Sequence, residues 1–87
     1  MKIVFTAEAW ENYLFWQQNN IKIFERINAL IKDVSRTPFS GLGKPEPLRH
    51  QLQGFWSRRI DAEHRLVYRV NDGSLTIISL RFHYPVC

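Results

Sequence analysis

The sequence predicts an α+β fold: a helical hairpin packed on one face of a small antiparallel sheet, in the order β-α-α-β-β-β, as one domain over residues 1–87. Three observations carry that prediction. Apolar residues recur at helical spacing from Trp10 to Val34, the segment TPFSGLGKPEPLRH then interrupts any regular pattern, and three runs after Gly54 alternate and are joined by short turns. A chain of 87 residues, 45% apolar and 14% aromatic, has room for one modest core and enough apolar surface to fill it.

The elements follow in order. KIVF (2–5) is a short apolar strand run. Thr6 suits a helix N-cap, and Glu8 falls in the first turn, where the helix dipole favours an anion. Trp10, Tyr13, Leu14 and Gln17 continue a helix to about Gln18, closed by Asn19 and Asn20. A second helix, from about Ile21 to Ser35, carries the stripe Ile23, Phe24, Ile27, Leu30, Ile31 and Val34, the pattern of a helix facing a core.

From Thr37 the prolines and glycines stop the helix and exclude a central strand, leaving a long shaped loop with a helical turn around Pro47 to Gln51. Long loops of this kind tend to carry function. Gly41 to Lys44 does not make a phosphate-binding P-loop, because the glycine spacing is wrong and proline follows the lysine.

FWSRRI (55–60), HRLVYRV (64–70) and LTIISLRFHY (75–84) are strand-like, and the Asp-Gly between the last two is a hairpin signal. Two hairpins in succession make a meander, and the first strand has no other sheet to join. Alternation puts Leu66, Tyr68 and Val70 on the helix side with Ile78, Leu80 and Phe82. Arg65, Arg69, Arg81 and His83 then share the free face, joined by Arg59 or Arg58.

Charge agrees with that placement. Residues 1–43 hold five Lys/Arg against four Asp/Glu, and residues 44–87 hold seven against four, six of the seven being arginine. Arginine's planar fork suits phosphate, so a polyanionic partner is expected. No apolar run approaches a membrane span, the first residues lack the apolar stretch of a signal peptide, and the single cysteine, Cys87, excludes an internal disulfide. These features predict a cytoplasmic protein without membrane contact. The histidines 50, 64 and 83 are not at a spacing that builds a zinc site, and no metal is expected.

An arginine face with one histidine and one nearby carboxylate is the equipment for cutting an RNA phosphodiester. The 2′-hydroxyl must lose a proton, the charge growing on the phosphorane oxygens must be stabilised, and the 5′-oxygen must gain a proton. The candidate carboxylate is Glu46, restricted between Pro45 and Pro47, whereas Asp61, Glu63 and Asp72 sit in turns. No cofactor is required.

GKPEPLRHQLQGFWSRRIDAEHRLVYRV and the later RFHY closely resemble the YoeB/Txe branch of the RelE-like toxins, as do Trp10 and Tyr13 in the first helix and the TPF that ends the second. The resemblance covers essentially the whole chain. It implies a ribosome-dependent endoribonuclease that cuts mRNA in the A site and is neutralised by a YefM-like antitoxin. Position by position it implies Glu46 as general base, Arg65 as phosphate clamp, His83 as general acid and Tyr84 as the residue that orients the nucleotide. Arg49 and Arg59, with Lys44 and Arg81, are the expected contacts to messenger or ribosomal RNA.

Members of the family can form homodimers, to which Trp10 or Trp16 would contribute if exposed, with at least one of the two expected in the core. Gyrase-targeting relatives share the architecture without catalysis, and the joint presence of Glu46, Arg65 and His83 speaks against that alternative. Phe82 stands where tyrosine is common, and the chain continues Pro85-Val86-Cys87 beyond the tyrosine. Because His83 and Tyr84 are adjacent, both reach one site only if the chain leaves extended geometry near residue 84 or Tyr84 reaches around the sheet edge; Pro85 favours the former, with the strand ending at about residue 83.

Overall fold

The computed structural model describes residues 1–82. Its elements are β1 (Lys2–Phe5), α1 (Ala7–Asn19), α2 (Ile21–Arg36), β2 (Glu46–Pro47), a 3₁₀ turn (His50–Leu52), β3 (Trp56–Arg59), β4 (Arg65–Asn71) and β5 (Ser74–Ser79). The strands form one sheet in the order β1-β5-β4-β3-β2. The expected α+β fold and element order are present, with two refinements. β1 pairs with β5 in parallel, so the sheet is mixed, and Glu46–Pro47 adds a fifth, edge strand antiparallel to β3. Proline is tolerated there because an edge strand leaves one row of backbone groups unpaired.

Both helices start on side-chain caps. Thr6 Oγ1 accepts from Ala9 N–H at 3.1 Å, and Asn20 Oδ1 accepts from Ile23 N–H at 3.2 Å. The α2 stripe buries Ile27, Leu30, Ile31 and Val34 against Leu66, Tyr68, Leu75, Ile77 and Leu80 of the sheet side. Trp16 joins this core and donates Nε1–H to the Leu80 carbonyl at 2.9 Å. Among the described residues no helix is long and apolar enough to cross a membrane.

The last strand departs from simple alternation. Tyr68 pairs with Ile77 and Val67 with Ser79, so Ile78 is an extra residue in a β-bulge. The bulge shifts the phase: Leu75, Ile77 and Leu80 enter the core, whereas Ile78, expected inside, borders a cavity on the other side. Pairing ends at Ser79 rather than near residue 83. Leu80 is held instead by α1, its N–H donating to Asn12 Oδ1 at 2.9 Å. Phe82, also expected in the core, is 52% exposed with a left-handed φ of 59°. Released from the ladder, the backbone turns and carries the ring outward.

Candidate active site

The loop after α2 is organised by one arginine. The register places Arg58 opposite Leu66, on the helix side, and Arg59 opposite Arg65, on the free face. Of the two candidates, Arg59 is therefore the one that joins the arginine face. Arg58 is completely buried. Its Nη1 donates to Asp33 Oδ2 at 2.6 Å and to the Leu42 carbonyl at 3.1 Å, while Nη2 donates to the carbonyls of Thr37 at 2.6 Å and Ser40 at 2.9 Å. Its Nε donates to Tyr68 Oη at 3.2 Å, and Tyr68 Oη donates on to the Pro38 carbonyl at 2.7 Å. Loop carbonyls that would lack partners are thereby satisfied, so the loop is a built structure.

The ion pair leaves its mark on both partners' surroundings. The Arg58 guanidinium, with a hydrogen bond from Leu42 N–H, holds the Asp33 carboxyl below its ordinary range. Burial pushes the Tyr68 phenol up, against the opposing effect of Arg58.

Gly43 docks this loop on the strands. Its carbonyl accepts from Arg59 N–H at 2.7 Å, and a Cβ there would lie 3.0 Å from both the Arg59 carbonyl oxygen and Leu30 Cδ2. With φ at +81° the position also favours glycine. Lys44 follows, exposed and left-handed at φ 52°, and β2 then sets Glu46 beside Ser57.

Across the sheet the register lines up Glu46, Ser57, Val67 and Ser79 as one row. Arg59 and Arg65 form the next row. Arg65 reaches diagonally, and its Nη1 lies 3.0 Å from Glu46 Oε1. Glu46 remains half open to solvent, with 51% of its side chain exposed, whereas Arg65 is only 13% exposed. Two arginines directly opposed repel each other, and Glu46 offsets part of that repulsion. The Nε atoms of Arg65 and Arg81 and the hydroxyl of Ser57 are buried without a hydrogen-bond partner among the described residues.

Beside the central row lies a cavity of about 340 Å³ bordered by Glu8, Leu52, Val67, Ile78, Arg81 and Phe82. Arg81 borders it from the α1 edge, its guanidinium 3.7 Å from the centre of the Phe15 ring. This differs from strict alternation, which puts Arg81 in line with Arg65 and Arg69. Arg69 does lie on the free face, opposite Thr76, and its guanidinium packs on Phe55 at 5.4 Å. Arg49 is exposed and begins the 3₁₀ turn. The expected site residues His83 and Tyr84 lie outside the described residues.

Two groups that sequence reasoning left out shape this region. Asp61, read as a solvated turn residue, accepts through Oδ1 from the N–H groups of Glu63 at 2.8 Å and His64 at 2.7 Å, fixing the turn before β4. His64 is buried beneath that turn. An Asx-turn pattern before an alternating run was available as a signal for Asp61. Nothing local to His64 distinguishes it, since its neighbours come from distant segments.

Comparison with known proteins is unambiguous. Residues 5–84 match the family described as YoeB-like toxin of bacterial type II toxin-antitoxin system. The toxin YoeB of Escherichia coli (strain K12) is 58% identical over 84 residues, 97% of this chain and 100% of its own length. The solved YoeB/ParE toxin from Agrobacterium tumefaciens superposes with a TM-score of 0.93 at 53% identity, covering 97% of this chain and 100% of its own. YoeB from Staphylococcus aureus has been solved in a complex with YefM (TM-score 0.89, 46% identity) and as a dimer (TM-score 0.90, 45% identity), each covering 97% of this chain and 98% of its own.

Proposed function

Because the chain belongs to the YoeB-like toxins of bacterial type II toxin-antitoxin systems, we propose that it is an endoribonuclease that cuts mRNA in the ribosomal A site and so stops translation. The observation that carries this reading is the Glu46–Arg65 pair, 3.0 Å apart on an arginine-bearing face, with the buried Arg65 Nε lacking a hydrogen-bond partner among the described residues. An anionic phosphate oxygen is the natural acceptor for that proton, and burial makes leaving it unpaired costly.

In the proposed reaction Glu46 takes the proton of the 2′-hydroxyl, whose oxygen attacks the adjacent phosphorus. Arg65 binds the non-bridging oxygens and stabilises the charge they gain. His83 gives a proton to the departing 5′-oxygen, and Tyr84 orients the nucleotide. Lys44, Arg49, Arg59 and Arg81 contact the RNA or the ribosome. The half-open position of Glu46 supports a role for the ribosome in supplying substrate geometry, since a shallow face by itself orients RNA only loosely. The protein acts in the cytoplasm, is neutralised by a YefM-like antitoxin as the S. aureus complex suggests, and forms a homodimer when free.

Purified protein mixed with programmed ribosomes tests the reaction by primer extension along the message. Cleavage within the A-site codon is expected, with Glu46→Gln and His83→Gln each slowing it by about 10²–10⁴-fold. An intact message at saturating protein sinks the proposal.

A further inference from the structure

Between Ser79 and Phe82 the terminal segment leaves the sheet and then returns to it. Leu80 is held by α1, through Asn12 and Trp16. Phe82 comes back to the start of β4, where its carbonyl accepts from Arg65 N–H at 3.0 Å. Its own N–H needs an acceptor, and the His64 carbonyl is directed at the preceding turn, where it accepts from Ile60 N–H at 2.9 Å and from Asp61 N–H at 3.3 Å. The acceptor is instead the His64 side chain, whose Nδ1 lies 2.6 Å from Phe82 N.

The imidazole is well fixed for this task. It is 7% exposed, packed edge-on against Trp16 at 4.8 Å and against the Phe82 ring at 5.3 Å. With Nδ1 accepting, the ring proton sits on Nε2, which faces Glu63 Oε1 at 3.7 Å. Phe82 meanwhile holds a left-handed φ of 59°, a conformation that a phenylalanine keeps only where its surroundings enforce it.

We infer that His64 is a positioning residue: its Nδ1, together with Arg65 N–H, clamps Phe82 against β4 and so sets the point from which the chain continues to His83. The inference rests on the proposed role of His83.

Amide exchange by NMR on the full chain tests the clamp without reference to catalysis. In the wild type the Phe82 amide is expected to be protected along with those of Tyr68 and Ile77. His64→Asn, whose Oδ1 approximates the place of Nδ1, keeps that protection, and His64→Leu lowers it at least tenfold at Phe82 while Tyr68 and Ile77 stay protected. On programmed ribosomes His64→Leu lowers kcat about 10–100-fold at unchanged KM, and His64→Asn restores it to within a few-fold. A Phe82 amide that exchanges freely in the wild type overturns the clamp even if the leucine variant fails to fold, as does a folded asparagine variant no better than leucine. If wild-type protein leaves mRNA uncut but the Phe82 amide behaves as described, the nuclease reading fails and the clamp stands.

Discussion

Arg58 shows how one residue can hold a functional loop without taking part in chemistry. Its guanidinium answers a carboxylate, a phenol and three carbonyls drawn from α2, the following loop and β4. Arg58→Met removes these charge-assisted bonds together, and a loss of about 2–4 kcal/mol is expected in urea unfolding. The partner carboxylate gives a pH signature. Asp33 is held below its unfolded value of about 3.9 by Arg58 and by Leu42 N–H, so it binds its proton less readily when folded. Its contribution is therefore complete above about pH 4 and fades as pH falls through the lower folded value. The difference in Tm between wild type and Asp33→Asn is expected to be constant from pH 8 to 5 and to shrink toward pH 3. A gap that is unchanged at pH 3 sinks this account.

At the scale of elements, the helices were legible and the strand ends were not. Thr6, Glu8 and the α2 stripe announce themselves because caps and periodicity act within a few residues. The bulge at Ile78 has no such signal: one extra residue leaves composition untouched yet breaks the alternation, which is why Ile78 was expected inside, and Phe82 was expected inside because the end of the ladder at Ser79 is equally silent in the sequence. The meander placed Arg65 and Arg69 on a common face correctly, since the strands are joined by short turns. Arg58 and Arg59 could not be separated until the register was known. The Glu46–Arg65 meeting depends on β2 joining the sheet, a two-residue pairing too short to read in advance. Caps remain the most direct test at this scale. Asn20 closes α1 through its N–H to the Trp16 carbonyl and opens α2 through its side chain. Thr6 caps α1 and also donates to the Ile78 carbonyl at 3.0 Å, tying the helix start to the bulge. Asn20→Ala and Thr6→Ala should each cost about 1 kcal/mol, lowering Tm by about 4–8 °C, with Thr6→Ser close to wild type. Equal losses for serine and alanine at position 6 would show that the hydroxyl is not what matters.

For the whole molecule, the helices cover one side of the sheet and leave the other to arginine. The net charge of +4 is modest, so the distribution decides how the protein meets a polyanion. Arg59, Arg65 and Arg69 lie on the open side, and Lys44 and Arg49 lie on the loop beside it, whereas Lys32 is exposed on α2. If single-stranded RNA lies along the open side, neutralising three to five phosphates at ~0.7 counterions each gives a slope of about −2 to −3.5 in log K against log salt. The measurement uses the Glu46→Gln variant and an oligonucleotide with a 2′-deoxy sugar at the cut position, so that binding is read without cleavage. Arg59→Ala and Arg69→Ala are each expected to reduce the slope by about 0.7, and Lys32→Ala to leave it unchanged. A slope that responds to Lys32 and ignores both arginines would put the nucleic acid on the helical side and remove the basis for the proposed site.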